Sequence, residues 1–221
     1  GTYTATQGTT TLTANSGTST SAIYRHSGGT FTHSNGTVLL NSGSTQHLRS
    51  TGATVAIPFN NLTLTGSATK QARDCDITVA NDLTVGTGAT FSTEDAANTI
   101  TVTADVDVTG TLDVSAGGAH SFGSLTVNSG GTYSATSGVT TITSEVGNYA
   151  INIDGTFTHN SGTVTITNPA SCLADITPPS GNGLNNLIKI PCCRLSDYSI
   201  SNVGSWCYLD KTVIMCKGSS V

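Results

Sequence analysis

An all-β chain coiled as a parallel β-solenoid is the fold that three features of the sequence predict. Apolar and polar residues alternate over short stretches, as in strands with one buried face. These stretches recur in register, ITVANDLTV at 77–85 and ITVTADVDV at 100–108, an offset of 23 residues. Thr, Ser and Gly, numbering 41, 26 and 25, make up 92 of the 221 residues, with only 10% charged and 5% aromatic. Thr favours strands and Gly turns corners, so this bias suits many short strands joined by tight turns.

The strands follow in order along the chain. Alternation marks LTLT at 62–65, TLDV at 111–114, SLTV at 124–127, INI at 151–153 and TVTIT at 163–167. In the 23-residue register Ile77, Val79, Leu83 and Val85 map onto Ile100, Val102, Val106 and Val108. Gly86, Gly88, Gly110, Gly130 and Gly131 fall between the runs. No segment carries a capped apolar stripe of period 3.6, so essentially no helix is expected. A coil of this length cannot bury its apolar face alone and is stabilised by stacking on its neighbours. About seven coils would fill residues 1–170. A β-sandwich explains the alternation equally well but not the register.

A longer repeat overlies the short one. GTYTATQG at 1–8 returns as GTYSATSG at 131–138, and GTFTH at 29–33 returns at 155–159. Gly1 opens inside this pattern with no initiator Met, charged n-region or h-region. Repeat arrays are usually capped, so a processed or truncated end, or contact with another protein there, is expected.

Residues 171–221 read as a second unit, a small disulfide-stapled cap or assembly module. Thirty-nine of the 41 Thr lie at or before Thr167, whereas five of the six Cys lie after it: Cys172, Cys192, Cys193, Cys207 and Cys216. Five is odd, so Cys75 is a candidate partner, or one cysteine reaches another chain. Such a framework implies an oxidising compartment. WCYLDKTVIMC at 206–216 reads as a strand or two that would cover the open edge of the last coil or build an oligomer.

GGTFTH, FNNLTLTG at 59–66, DLTVGTGATF at 82–91 and GTLDVSAGG at 110–118 resemble the Gly/Thr-rich repeats of bacterial surface adhesins and of phage tail or fibre proteins. The resemblance covers residues 1–170 and rests on composition and rhythm. It implies a right-handed β-helix used for attachment, surface display or virion structure.

Candidate sites are sparse. Asp82 and Asp105 share the short register, with Asp107 and Asp113 nearby. Stacked carboxylates repel unless a cation lies between them, and calcium with oxygen ligands would suit Asp82, Asp105 and Asp107. Asp74, Asp76 and Asp95 invite the same reading more weakly. Otherwise these are solvated surface charges. A polysaccharide-active β-helix enzyme would need clustered carboxylates with basic partners, and before residue 171 those partners are only Arg25, Arg49, Lys70 and Arg73. No GxSxG, HExxH or CxxC occurs. Among His26, His33, His47, His120 and His159, the pair His33 and His159 hold matching places in GTFTH, which duplication explains better than a metal site. A T-x-T ice-binding array breaks where Thr103 maps onto Ala80. Asn35 and Asn61 sit in glycosylation sequons.

Composition and charge exclude two partners. No apolar run approaches a membrane span, and the formal net charge of -5 does not suit nucleic acid. The expected function is a non-enzymatic, extracellular structural protein, a component of a virion fibre, particle surface or cell-surface filament. It would need no cofactor and would associate with itself or with other structural subunits through its ends. The rival is an adhesin or receptor-binding module for surface glycan, which would show Tyr3, Tyr24, Tyr133 and Tyr149 clustered on one face.

Overall fold

The computed structural model describes residues 1–16, 22–26, 28–50, 56–143 and 150–167, and the backbone of five short strands beyond them. Every regular element among these residues is a β-strand. The strands stack in three parallel columns, visited in turn by each coil. The first column holds Ile57–Phe59, Ile77–Val79, the start of Ile100–Val108, the start of His120–Val127, Val139–Ile142 and Thr163–Ile166. The second holds Thr9–Leu12, Thr37–Asn41, Asn61–Thr65, Leu83–Val85, the ends of Ile100–Val108 and His120–Val127, and Ile151–Ile153. The third holds Tyr24–His26, Gln46–Ser50, Thr69–Arg73, Thr90–Thr93, Thr111–Asp113, Thr132–Ser134 and Thr156–Thr158. This is a parallel β-solenoid. All of these pairings are parallel, which excludes the sandwich of antiparallel sheets.

The short register is the stacking register. Ile77 pairs with Ile100, and Leu83 with Val106. Inward positions therefore form continuous apolar files. In the second column Leu62, Leu83, Val106, Leu125 and Ile151 lie one above another, all buried. In the third, Phe91, Leu112, Tyr133 and Phe157 do the same. Each such side chain contributes roughly 1.5–3 kcal/mol by leaving water. Outward positions in the first column read Pro58, Thr78, Thr101, Ser121, Thr141 and Thr165. The corners are also tied from coil to coil: the Ala80 amide donates to the Phe59 carbonyl at 2.9 Å, and that of Asn81 to Asn60 at 2.8 Å.

The long repeat behaves differently. Thr30–Thr32 pairs with Thr2–Thr4 in a separate two-stranded sheet, whereas its sequence counterpart Thr156–Thr158 ends the third column. Thr37–Asn41 lies in the second column, but its counterpart Thr163–Ile166 lies in the first. The two copies are thus displaced by one face. What they share is the corner itself. Ser34 and Asn35, like Asn160 and Ser161, have positive φ, and Gly36 and Gly162 donate to the carbonyls of His33 and His159 at 2.9 and 2.8 Å. That is the signature of a type I′ turn. A Cβ on Gly36 or Gly162 would overlap the carbonyl of Thr6 or Thr136 in the coil below. Thr37 and Thr163 then donate to Gly8 and Gly138 at 3.0 and 2.8 Å. The corner is complete within two adjacent coils and works on any face.

Beyond residue 170 the backbone strands Ala174–Ile176 and Ser199–Ile200 extend the second column, and Ile188–Ile190 and Cys207–Leu209 the first. Thr212–Ile214 turns back antiparallel on Cys207–Leu209.

Replacing the inward Leu83 by Ala is expected to lower the unfolding free energy by about 2–5 kcal/mol. The same change at its outward neighbour Thr84 is expected to cost under about 0.5 kcal/mol. Urea denaturation of both variants checks the facing, and equal losses would contradict it.

Candidate ligand groove and buried polar groups

An open groove of about 440 Å³ lies at the first coils, lined by Tyr3, Tyr24, Arg25, Phe31 and backbone at Gly28 and Gly29. An aromatic stack builds its wall. The Tyr3 and Phe31 rings lie 5.8 Å apart and nearly parallel, at 9°. Phe31 meets Phe59 at 6.1 Å and the edge of Tyr24 at 5.6 Å. Phe59 is buried, so the stack is anchored in the core, while Tyr3 remains 55% exposed. Burial pushes the pKa of the Tyr24 hydroxyl up to about 12. Of the four tyrosines that a glycan-binding module would cluster on one face, Tyr3 and Tyr24 come together here. Tyr133 is instead interior, its hydroxyl 2.9 Å from Thr140 Oγ1. Tyr149 lies outside the described residues.

Asp82 and Asp105 do stack, and their carboxylates are used along the stack. Asp82 Oδ1 accepts the Asp105 amide at 3.3 Å, just as Asn61 Oδ1 accepts the Asp82 amide at 3.3 Å. Ser124 Oγ donates to Asp105 Oδ1, and Asn128 Nδ2 donates to Asp107 Oδ1 at 2.5 Å. The corner position thus reads Asn61, Asp82, Asp105, Ser124, with each side chain bonded to the adjacent coil. Among the described residues no three His, Cys, Asp or Glu side chains converge as a metal-binding group. Asp82, Asp105 and Asp107, the residues of the calcium reading, thus each accept a hydrogen bond within the stack.

The basic residues divide sharply. Arg25, Arg49 and Arg73 stack in register on the third column. Arg49 pairs with Asp74, and Arg73 with Glu94 at 2.8 Å. Lys70, unlike the arginines, is interior. Its Nζ donates to the carbonyls of Ser42 and Ala68, each at 2.9 Å, and burial lowers its pKa. Gln46, its neighbour in the file, uses the same device, with Nε2 donating to Leu12 and Ala14 carbonyls at 2.8 and 2.7 Å. Both occupy the file that Phe91, Leu112 and Tyr133 continue. Period-two patterning could have placed Lys70 inward, between outward Thr69 and Gln71, but charge argued against it.

The histidines serve the fold. His33 and His159 accept the amides of Asn35 and Ser161 through Nδ1, at 3.2 and 2.9 Å. They belong to coils near opposite ends of the array, so they form no metal pair. His47 is buried, and the His26 side chain lies outside the described residues. His120 takes an inward place above Ile77 and Ile100, and its Nδ1 accepts the Ile100 amide at 3.0 Å. Its Nε2, Thr93 Oγ1 and Asn98 Oδ1 are buried without a hydrogen-bond partner. Of the sequons, Asn35 is exposed on its turn, whereas Asn61 is engaged in the corner ladder.

Cys75 is a free thiol buried in the core, donating to the Leu48 carbonyl at 3.3 Å. Burial pushes its pKa to about 12. The tail cysteines suggested as its partners are not among the residues whose side chains are described. Cys172, Cys192, Cys193 and Cys216 lie outside the described residues, as does the side chain of Cys207. No helix among the described residues is long and apolar enough to cross a membrane.

No protein-family model, no curated protein and no solved structure matches this chain.

Burial lowers the pKa of His120 from 6.5 to about 4. The unfolded chain therefore binds a proton first as pH falls. This contribution to stability is complete above pH 6.5 and lost progressively toward pH 4, by up to about 3 kcal/mol. His120→Asn, which keeps an acceptor for the Ile100 amide, is expected to flatten that part of the profile. Denaturation of both proteins between pH 7 and 4 measures it, and parallel profiles would contradict the assignment.

Proposed function

We propose that this chain is a non-enzymatic structural protein of an extracellular surface, a component of a virion fibre, particle or cell-surface filament. The observation that carries this reading is the parallel stacking of three strand columns along one axis. Hydrogen bonds and buried files run along one axis, so load along that axis is shared among all strands of a coil. The outward side chains are short and little charged, which suits a regular spacer. Acid–base hydrolysis of a glycoside needs two carboxylates across a bound sugar. The groove is lined by none, and Asp82, Asp105 and Asp107 are engaged along the stack. Gold-labelled antibody against the solenoid is expected to decorate fibres or particle surfaces at regular intervals. Label confined to a freely diffusing pool would overturn the proposal.

A second reading rests on the groove: the solenoid presents a glycan-binding site at its first coils. Tyr3 supports it, as an exposed ring stacked on Phe31 and offering a flat apolar face with a polar tip. Tyr3→Ala is expected to weaken retention on a glycan array by about tenfold, roughly 1.4 kcal/mol, with thermal stability little changed. Unaltered retention would remove the groove from consideration.

A further inference from the structure

We infer that the groove is built for an anionic saccharide, a pyranose carrying a carboxylate, with Arg25 as the anion-binding group. This rests on the glycan-binding reading above. The argument begins with the arginine file. Arg25, Arg49 and Arg73 occupy one register on the third column. The upper two are neutralised by Asp74 and Glu94. Asp74 follows Arg73 in the chain; the residue that follows Arg49 is Ser50, and no acid stands there to serve Arg25. No Asp or Glu occurs anywhere before Asp74, so no residue of the first 73 can supply a counter-charge. Arg25 is exposed, lines the groove, and makes no ion pair among the described residues.

The chemistry of the ligand follows from what surrounds that cation. A guanidinium binds a carboxylate through two parallel hydrogen bonds. Tyr3, more than half exposed, and Tyr24 line the same groove. A carboxylated sugar ring satisfies all three at once: charge on Arg25, C–H face on Tyr3, hydroxyls on Tyr24 and the backbone at Gly28 and Gly29. The volume of about 440 Å³ lies within the range of small-molecule sites. A polyphosphate ligand is disfavoured. Nucleic-acid affinity needs several cations on successive phosphates, and here one arginine stands on a chain of net charge -5.

The test is an array carrying uronate- and sialate-terminated glycans beside their methyl esters, probed with the 221-residue chain and its R25Q variant. Retention of the acids over their esters, weakened about 10- to 100-fold in R25Q and reduced by salt, is the expected result. Equal retention of acids and esters would overturn the anionic assignment and leave the glycan reading standing. Retention of neither would overturn both. Acids held equally by R25Q would remove Arg25 from the site. Sedimentation separates one further outcome. If R25Q dissociates an oligomer of the parent chain, Arg25 meets carboxylates of a second copy, and the saccharide assignment fails. R25Q should melt with the parent chain, since Arg25 is exposed and makes no ion pair among the described residues.

Discussion

The structure depends on one constraint: no coil can bury its own apolar face. A strand of three residues such as Leu83–Val85 has two inward side chains, and they leave water only because Leu62 and Val106 lie below and above Leu83. Backbone hydrogen bonding and side-chain burial therefore act along the same axis and in the same register. Coil length can vary while that register holds. Partners are separated by 28 residues at Thr9 and Thr37, and by 19 at Val106 and Leu125. The variation is absorbed at the corners, where a turn lengthens without disturbing the files.

The same constraint explains how the interior tolerates polar groups. A parallel stack leaves carbonyls pointing inward at corners, where chain direction changes. Lys70 and Gln46 each bring a nitrogen to two such carbonyls and so replace a large apolar residue without stranding a donor. Tyr133 and Thr140 satisfy one another across two files. His120 is less complete, with one ring nitrogen bonded and the other unpartnered, and burial lowers its pKa. On the outside, the same stacking sets charges in files. Arg25, Arg49 and Arg73 are aligned by register, and the carboxylates that begin at Asp74 neutralise only the last two.

Much of this was legible before any coordinates. The offset of Ile77 to Ile100 is a stacking register because identical environments select similar side chains. The Thr and Gly bias followed from outward strand positions and corners. The groove was legible only in part. Tyr3 and Tyr24 were candidates by residue type, but Phe31 and Phe59, which hold them, were not singled out. The signal was present as the 28-residue spacing of Tyr3 and Phe31, and as the lack of any acid before Asp74. The interior place of Lys70 was not legible, because its charge argues against burial even though the alternation of Thr69 and Gln71 points it inward.

Local chemistry therefore determined the elements, their alternation and their repeat, because strand propensity and turn geometry act over a few residues. Which face each element occupies was decided only by the stack. The duplicated corners at His33 and His159 are the clearest case: the same residues make the same turn and the same bonds to the coil below, yet they stand on different faces. A corner needs only its two coils, whereas its face is the sum of every coil length before it. That sum also brings residues 3, 24, 25 and 31 into one groove, an arrangement no single segment encodes.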